Sequence, residues 1–196
     1  CAWLGVGLER ARKNRRAAAE IHKVQARIER FGGSVGFSHQ HFPDSLDELF
    51  DDPGVFCISW IEGQGNFGDA GLSELSGLTG LESLQLKNTQ VTDAGLEHVK
   101  GLTSLGHLNL GNTQVGDAGL EHLKGLTNLL SLDLTGTQVT DAGLENLKGM
   151  TSLRSLYLAG TEVTDAGLVH LKGLKSLRIL VLDGTQVTDA GLENLK

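Results

Sequence analysis

The residues in this chain that could do chemistry are few, and their spacing says more than their number. His39-Gln40-His41 would place two imidazoles on one face of a strand, because residues two apart share a face. A third ligand of suitable type is not evident beside them, so a solvated strand edge accounts for the pair better than a metal site. His98, His122 and His170 recur at the same place in a repeating unit and read as surface residues of that unit. Aspartates at 69, 93, 117, 141, 165 and 189 form a column that resembles a cation ladder at first sight. Each opens a helical turn, and helix capping explains it more simply. Cys1 and Cys57 lack metal-site spacing, and the sequence alone does not support a disulfide between them. No phosphate-binding glycine loop occurs. No nucleophile or acid–base pair stands out, so the chain reads as a non-enzyme without catalytic residues, metal or cofactor.

The elements that carry these residues repeat every 24 positions. Asp-Ala-Gly-Leu begins at Asp69, Asp93, Asp117, Asp141, Asp165 and Asp189 without insertion or deletion. A fixed period of this length marks a solenoid whose units bury apolar faces only against their neighbours. In the copy from Leu81 to Ser104, Leu84-x-Leu86 alternates with period two and reads as a short strand. Thr89 and Val91 follow in a turn. Leu96, Val99 and Leu102 then point inward at three-residue spacing from a helical stretch that Thr92 or Asp93 can cap. Gly116 stands where the next copies have Thr140 and Thr164, which favours the aspartate as the cap. Gly101 suits a left-handed helix end. Thr89, Thr113, Thr137, Thr161 and Thr185 form an inward ladder whose hydroxyls satisfy backbone groups in the turn.

The pattern L-x-x-L-x-L-x-x-T-x-V-T-D-A-G-L resembles that of leucine-rich repeats. It is most similar to the bacterial 24-residue class, with threonine at the Asn/Cys slot, and it covers residues 69–196. The resemblance implies an α/β solenoid, with parallel strands on a concave face and short helices on a convex one. It also implies a scaffold that binds protein. Similar bacterial proteins place an apolar anchor, a basic helix and an I-E-x-x-G-G segment before the repeats. Ile28-Glu29-Arg30-Phe31-Gly32-Gly33 fits that segment.

Three regions follow. Residues 1–31 carry eight Lys/Arg against three Asp/Glu and read as a basic amphipathic helix, with Ile21, Val24, Ile28 and Phe31 on one stripe. The run from Ala2 to Leu8 ahead of Arg10, Arg12 and Lys13 looks like the end of a membrane or signal segment. Residues 32–68 hold five acids and no base up to Phe56 and form an N-terminal cap. Strands are expected over 34–40 and 55–61, with a capping-box helix from Ser45. Shifting the repeat back by 24 puts Cys57, Trp60 and Glu62 in leucine slots, a degenerate first copy. Residues 69–196 are the repeats. The net charge of −7 argues against a nucleic-acid partner.

The positions that the repeat leaves free are the outward residues of the strands. The central row reads Gln85, Asn109, Asp133, Tyr157, Val181, polar turning apolar toward the C-terminus. With Arg154, Arg178 and Ile179 it is the candidate protein-contact surface. The last copy stops at Lys196, where the pattern would continue. That leaves two expectations. One is self-assembly, head to tail into a filament, through Trp3, Leu4 and Leu8 at one end and Leu192 and Leu195 at the other. The other is a recognition module cut from a larger membrane-anchored receptor. Location at the cell envelope or outside the cell goes with a cleaved signal. The cytoplasmic side of a membrane goes with a retained anchor, by the positive-inside rule.

Overall fold

The computed structural model describes Ala19, residues 22–37 and residues 58–195. Trp3, Leu4, Leu8, Cys1, Cys57, the His39–His41 pair and the capping-box segment lie outside the described residues.

A helix over 22–30, here α1, leads into the cap. Ile28 is fully buried, and Val24 and Phe31 pack half-buried on the same core. The helix ends at Gly32, whose φ of 80° lies in the left-handed region that a side chain disfavours. Arg27 pairs with Glu74 and ties α1 to the first repeat. β1 (Gly33–Phe37) and β2 (Ile58–Gly63) pair antiparallel. From β2 onward the sheet is parallel: β3 (Ser83–Gln85), β4 (His107–Asn109), β5 (Ser131–Asp133), β6 (Ser155–Tyr157) and β7 (Ile179–Val181), side by side in chain order. The register is in step, with Leu84, Leu108, Leu132, Leu156 and Leu180 aligned in one row.

The opposite side is built from single turns: α2 (Asp69–Ser73), α3 (Asp93–Leu96), α4 (Asp117–Glu121), α5 (Asp141–Leu144), a 3₁₀ turn at Gly167–Leu171, and α6 (Asp189–Leu192). After each first turn the chain continues in i→i−3 bonds. The N–H of Leu75 reaches Leu72 O (3.0 Å), that of Leu78 reaches Leu75 O (3.0 Å), and that of Leu81 reaches Leu78 O (2.9 Å). A helix closing every third residue repeats its inward face every third residue. This is why the leucines are spaced by three. The leucine and valine slots fill one continuous core from Ile28 to Leu174. Burying each of these side chains contributes about 1.5–3 kcal/mol.

Three expectations need correction. Gly101 is not left-handed, although Gly77, at the same place one repeat earlier, is (φ 91°) with the same i→i−3 bonds around it. The left-handed column lies instead just after the strands, at Asn88, Asn112, Gly136, Gly160 and Gly184, with φ from 55° to 69°. Second, Ile61, not Trp60, pairs with Leu84 and is fully buried. Ile61 is 84 − 61 = 23 residues ahead of its partner, whereas Phe67 takes the place of Val91 at 91 − 67 = 24. The loop after β2 is therefore one residue shorter than in the repeats. Ile61 and Gly63 turn inward, and Trp60 and Glu62 turn out onto the exposed face of the sheet. The third correction concerns the aspartates.

Candidate functional site

The aspartate column clamps each repeat to the next and does not cap its own helix. At α3 the cap residue is Thr92, whose side chain makes no capping bond. The carboxylate of Asp69, from the preceding repeat, does the work there. It accepts from Thr92 N–H at 2.9 Å and from the Thr92 hydroxyl at 2.7 Å. The same pair of bonds joins Asp117 to Thr140 (2.8 and 2.7 Å), Asp141 to Thr164 (2.8 and 2.6 Å) and Asp165 to Thr188 (both 2.7 Å). Between Asp93 and Gly116 only the backbone bond exists, at 2.7 Å, because glycine brings no hydroxyl. The glycine of Asp-Ala-Gly-Leu belongs to the same device. A Cβ on Gly95, Gly119, Gly143, Gly167 or Gly191 would collide with the aspartate of the repeat before it. The Asp165 carboxyl is held below the ordinary carboxylate range, first by the Thr188 N–H and then by its hydroxyl.

The threonine ladder does what the pattern suggested. The hydroxyls of Thr89, Thr113 and Thr137 donate to the carbonyls of Leu86, Leu110 and Leu134 at 2.6 Å, and those of Thr161 and Thr185 to Leu158 and Leu182 at 2.7 Å. His98, His122 and His170 stand half-buried on the convex side, near the exposed pairs Glu97–Lys100 (3.3 Å), Glu121–Lys124 (3.7 Å) and Glu145–Lys148 (3.0 Å). Lys148 lowers the Glu145 carboxyl, chiefly by hydrogen bonding. Solvated pairs like these contribute little to stability. Among the described residues no group of three or more His, Cys, Asp or Glu could hold a metal.

The other face is the exposed surface of the sheet. Its two rows follow from the register: Trp60, Ser83, His107, Ser131, Ser155, Ile179, and beside it Glu62, Gln85, Asn109, Asp133, Tyr157, Val181. Ser83, Gln85, His107, Asn109, Ser131, Asp133 and Tyr157 line a shallow depression of ≈ 290 Å³ over β3 to β6. Four of these side chains are already engaged within the fold. Gln85 Nε2 donates to Ser83 Oγ (3.3 Å), Asn109 Oδ1 accepts from Gly111 N–H (2.9 Å), and Asp133 Oδ1 accepts from Thr135 N–H (2.9 Å). The last two are turns closed by a side chain. They fix the orientation of the Asn109 and Asp133 side chains. His107 and Ser131 face each other across adjacent strands, and no hydrogen bond joins them.

The apolar part of the candidate surface does gather. Tyr157 on β6 is flanked across the sheet by Ile179 and Val181 on β7, and Ile179 is 47% exposed. Arg154 and Arg178 are exposed but stand one residue before their strands, off the floor of the sheet. Arg178 lines a separate hollow of ≈ 310 Å³ beyond the last strand, with Leu174, Leu177, Leu180 and Leu195. There the core layer is open. Leu177, Leu180, Leu182 and Val187 are partly buried, whereas Leu153, Leu156, Leu158 and Val163 one repeat earlier are fully buried. Leu192 is 43% exposed and Leu195 half-buried at this end. Trp60, 40% exposed at the opposite end of the sheet, is a surface residue that a rigid 24-residue shift hides. The local alternation Trp60-Ile61-Glu62-Gly63 carries the signal that finds it.

The family model "Leucine Rich repeat" matches residues 101–124, 125–148, 149–171 and 173–196. Among solved structures, an internalin of Listeria monocytogenes aligns with 28% identity and a TM-score of 0.56, over 63% of this chain and 35% of its own. The chain thus spans about a third of that relative. Internalin C2 of the same organism aligns with 22% identity and a TM-score of 0.47, over 71% of this chain and 77% of its own. No curated protein matches the chain. Repeat length, ladder, parallel sheet and family match converge: the chain carries leucine-rich repeats of the 24-residue type.

Proposed function

We propose that the protein is a binding scaffold whose exposed sheet face docks a protein partner. One observation carries this reading. Tyr157, Ile179 and Val181 lie together, exposed or half-exposed, beside a depression lined by hydrogen-bonding side chains. An apolar cluster with an adjoining polar floor is the composition of a protein-binding patch. The repeat requires none of these residues, since the core faces the other way.

The reading is tested by selecting binders from a displayed random-peptide library on the protein and on its Ser131→Arg variant. Ser131 sits on the floor of the depression, and an arginine there fills it. Enrichment on the parent that disappears on the variant is expected. Enrichment equal on both overturns the reading.

A second reading is self-association through the hollow lined by Leu177, Leu180 and Leu195. A second copy seated there makes a heterologous contact that propagates. Sedimentation at rising concentration is expected to show growth that Leu180→Asp suppresses, and a mass fixed at the monomer contradicts it. A recognition module within a larger envelope protein would use the same sheet face. No helix among the described residues is long and apolar enough to cross a membrane.

A further inference from the structure

The exposed sheet has an apolar anchor at each end, and their separation describes what fits between them. Trp60 stands on β2, outward because of the one-residue shift in the cap register. Its indole lies across Gly36 of β1, where any Cβ would strike the ring. The glycine lets the indole lie flat, and the ring remains 40% exposed. Large, rigid, half-exposed tryptophans are the commonest energetic anchors of interfaces. At the other end stand Tyr157, Ile179 and Val181.

Between β2 and β6 lie four strand steps of about 4.8 Å, or about 19 Å in all. An extended chain advances about 3.3 Å per residue, so about six residues cover that span. The face carries the carboxylates of Asp133, on the floor between the anchors, and Glu62, beside Trp60, and the floor holds no lysine or arginine; the cations Lys87 and Arg154 stand at the rims. It offers hydroxyl, amide and imidazole groups, with Asn109 and Asp133 already fixed by their turns. Such a floor repels acidic residues and rewards neutral hydrogen-bonding ones.

We propose that the partner presents an extended segment with apolar side chains six residues apart, one on Trp60 and one on Tyr157, Ile179 and Val181, and with uncharged polar residues between. This rests on the sheet face being the binding face. It makes Trp60 a binding residue.

The test uses the protein carrying Trp3→Phe, so that Trp60 is its one tryptophan. Four nine-residue probe peptides are titrated: phenylalanine at positions 2 and 8 with serine and asparagine between; the same with glutamate in the middle; phenylalanine at 2 and 5; and phenylalanine at 8 only. The first is expected to shift Trp60 emission and to bind at least tenfold tighter than the other three. Trp60→Ala, whose binding is read by calorimetry because no tryptophan is left, should remove that advantage, and so should Ile179→Asp at the far end, which leaves the cap intact. Equal binding of the 2/5 and 2/8 peptides, emission unchanged on binding, or no binding at all overturns the proposal. Binding unaffected by Ser131→Arg instead overturns the choice of face. A second copy as occupant would appear as a rise in mass without peptide.

Discussion

At the scale of the residue, the Asp-Ala-Gly-Leu motif changes meaning once its neighbours are in place. The aspartate holds the next repeat, and the glycine makes room for that aspartate. This was not legible from one copy, because the bond spans 23 positions and a capping residue has the same local signature. Gly116 is the imperfect joint. Its φ and ψ of −126° and −159° suit a threonine, and a Cβ there meets nothing closer than 3.6 Å. Gly116→Thr would give Asp93 Oδ2 its missing hydroxyl and stiffen the unfolded chain less freely coiled, a gain of about 1 kcal/mol in urea unfolding. Gly143→Ala drives a methyl into Asp117 and should cost about 1–3 kcal/mol by the same measurement. Asp165 gives the pH dependence. Its depressed folded pKa adds stability above the unfolded value of about 3.9, and that stability is lost as pH falls through the folded value. Melting temperature should therefore drop on acidification below about pH 4, less steeply in Asp165→Asn.

At the scale of the element, the strands and the inward leucines were legible, because a period of two and a spacing of three each match one geometry. The left-handed corner was missed although its column of Asn88, Asn112, Gly136, Gly160 and Gly184 contains only the two residue types that tolerate that conformation. A fixed period hides the cap register, because the loop after β2 is one residue short. Local alternation would have sent Ile61 inward and Trp60 out. The central strand gives the sharpest test of the layer model. Leu132 is fully buried between Leu108 and Leu156. Leu132→Asp places a charge in that row and should melt the middle of the array, seen as a collapsed thermal transition. An unchanged melting curve contradicts the model.

At the scale of the whole molecule, the repeats explain themselves and leave one surface unspent: the outward sheet rows. The sheet rows were legible as positions, since they vary while the core does not, but not as a surface. The sequence alone could not show that Asn109 and Asp133 are held by their own turns, or that Arg178 lies off the sheet floor. The central claim is that protein partners dock on this sheet. A photo-crosslinking residue placed at Ser131, on the sheet floor, and separately at Glu121, on the convex side, tests it most directly with a binder selected on the parent protein. Covalent capture from position 131 and none from position 121 is the predicted result. Capture from 121 with none from 131 would contradict the account.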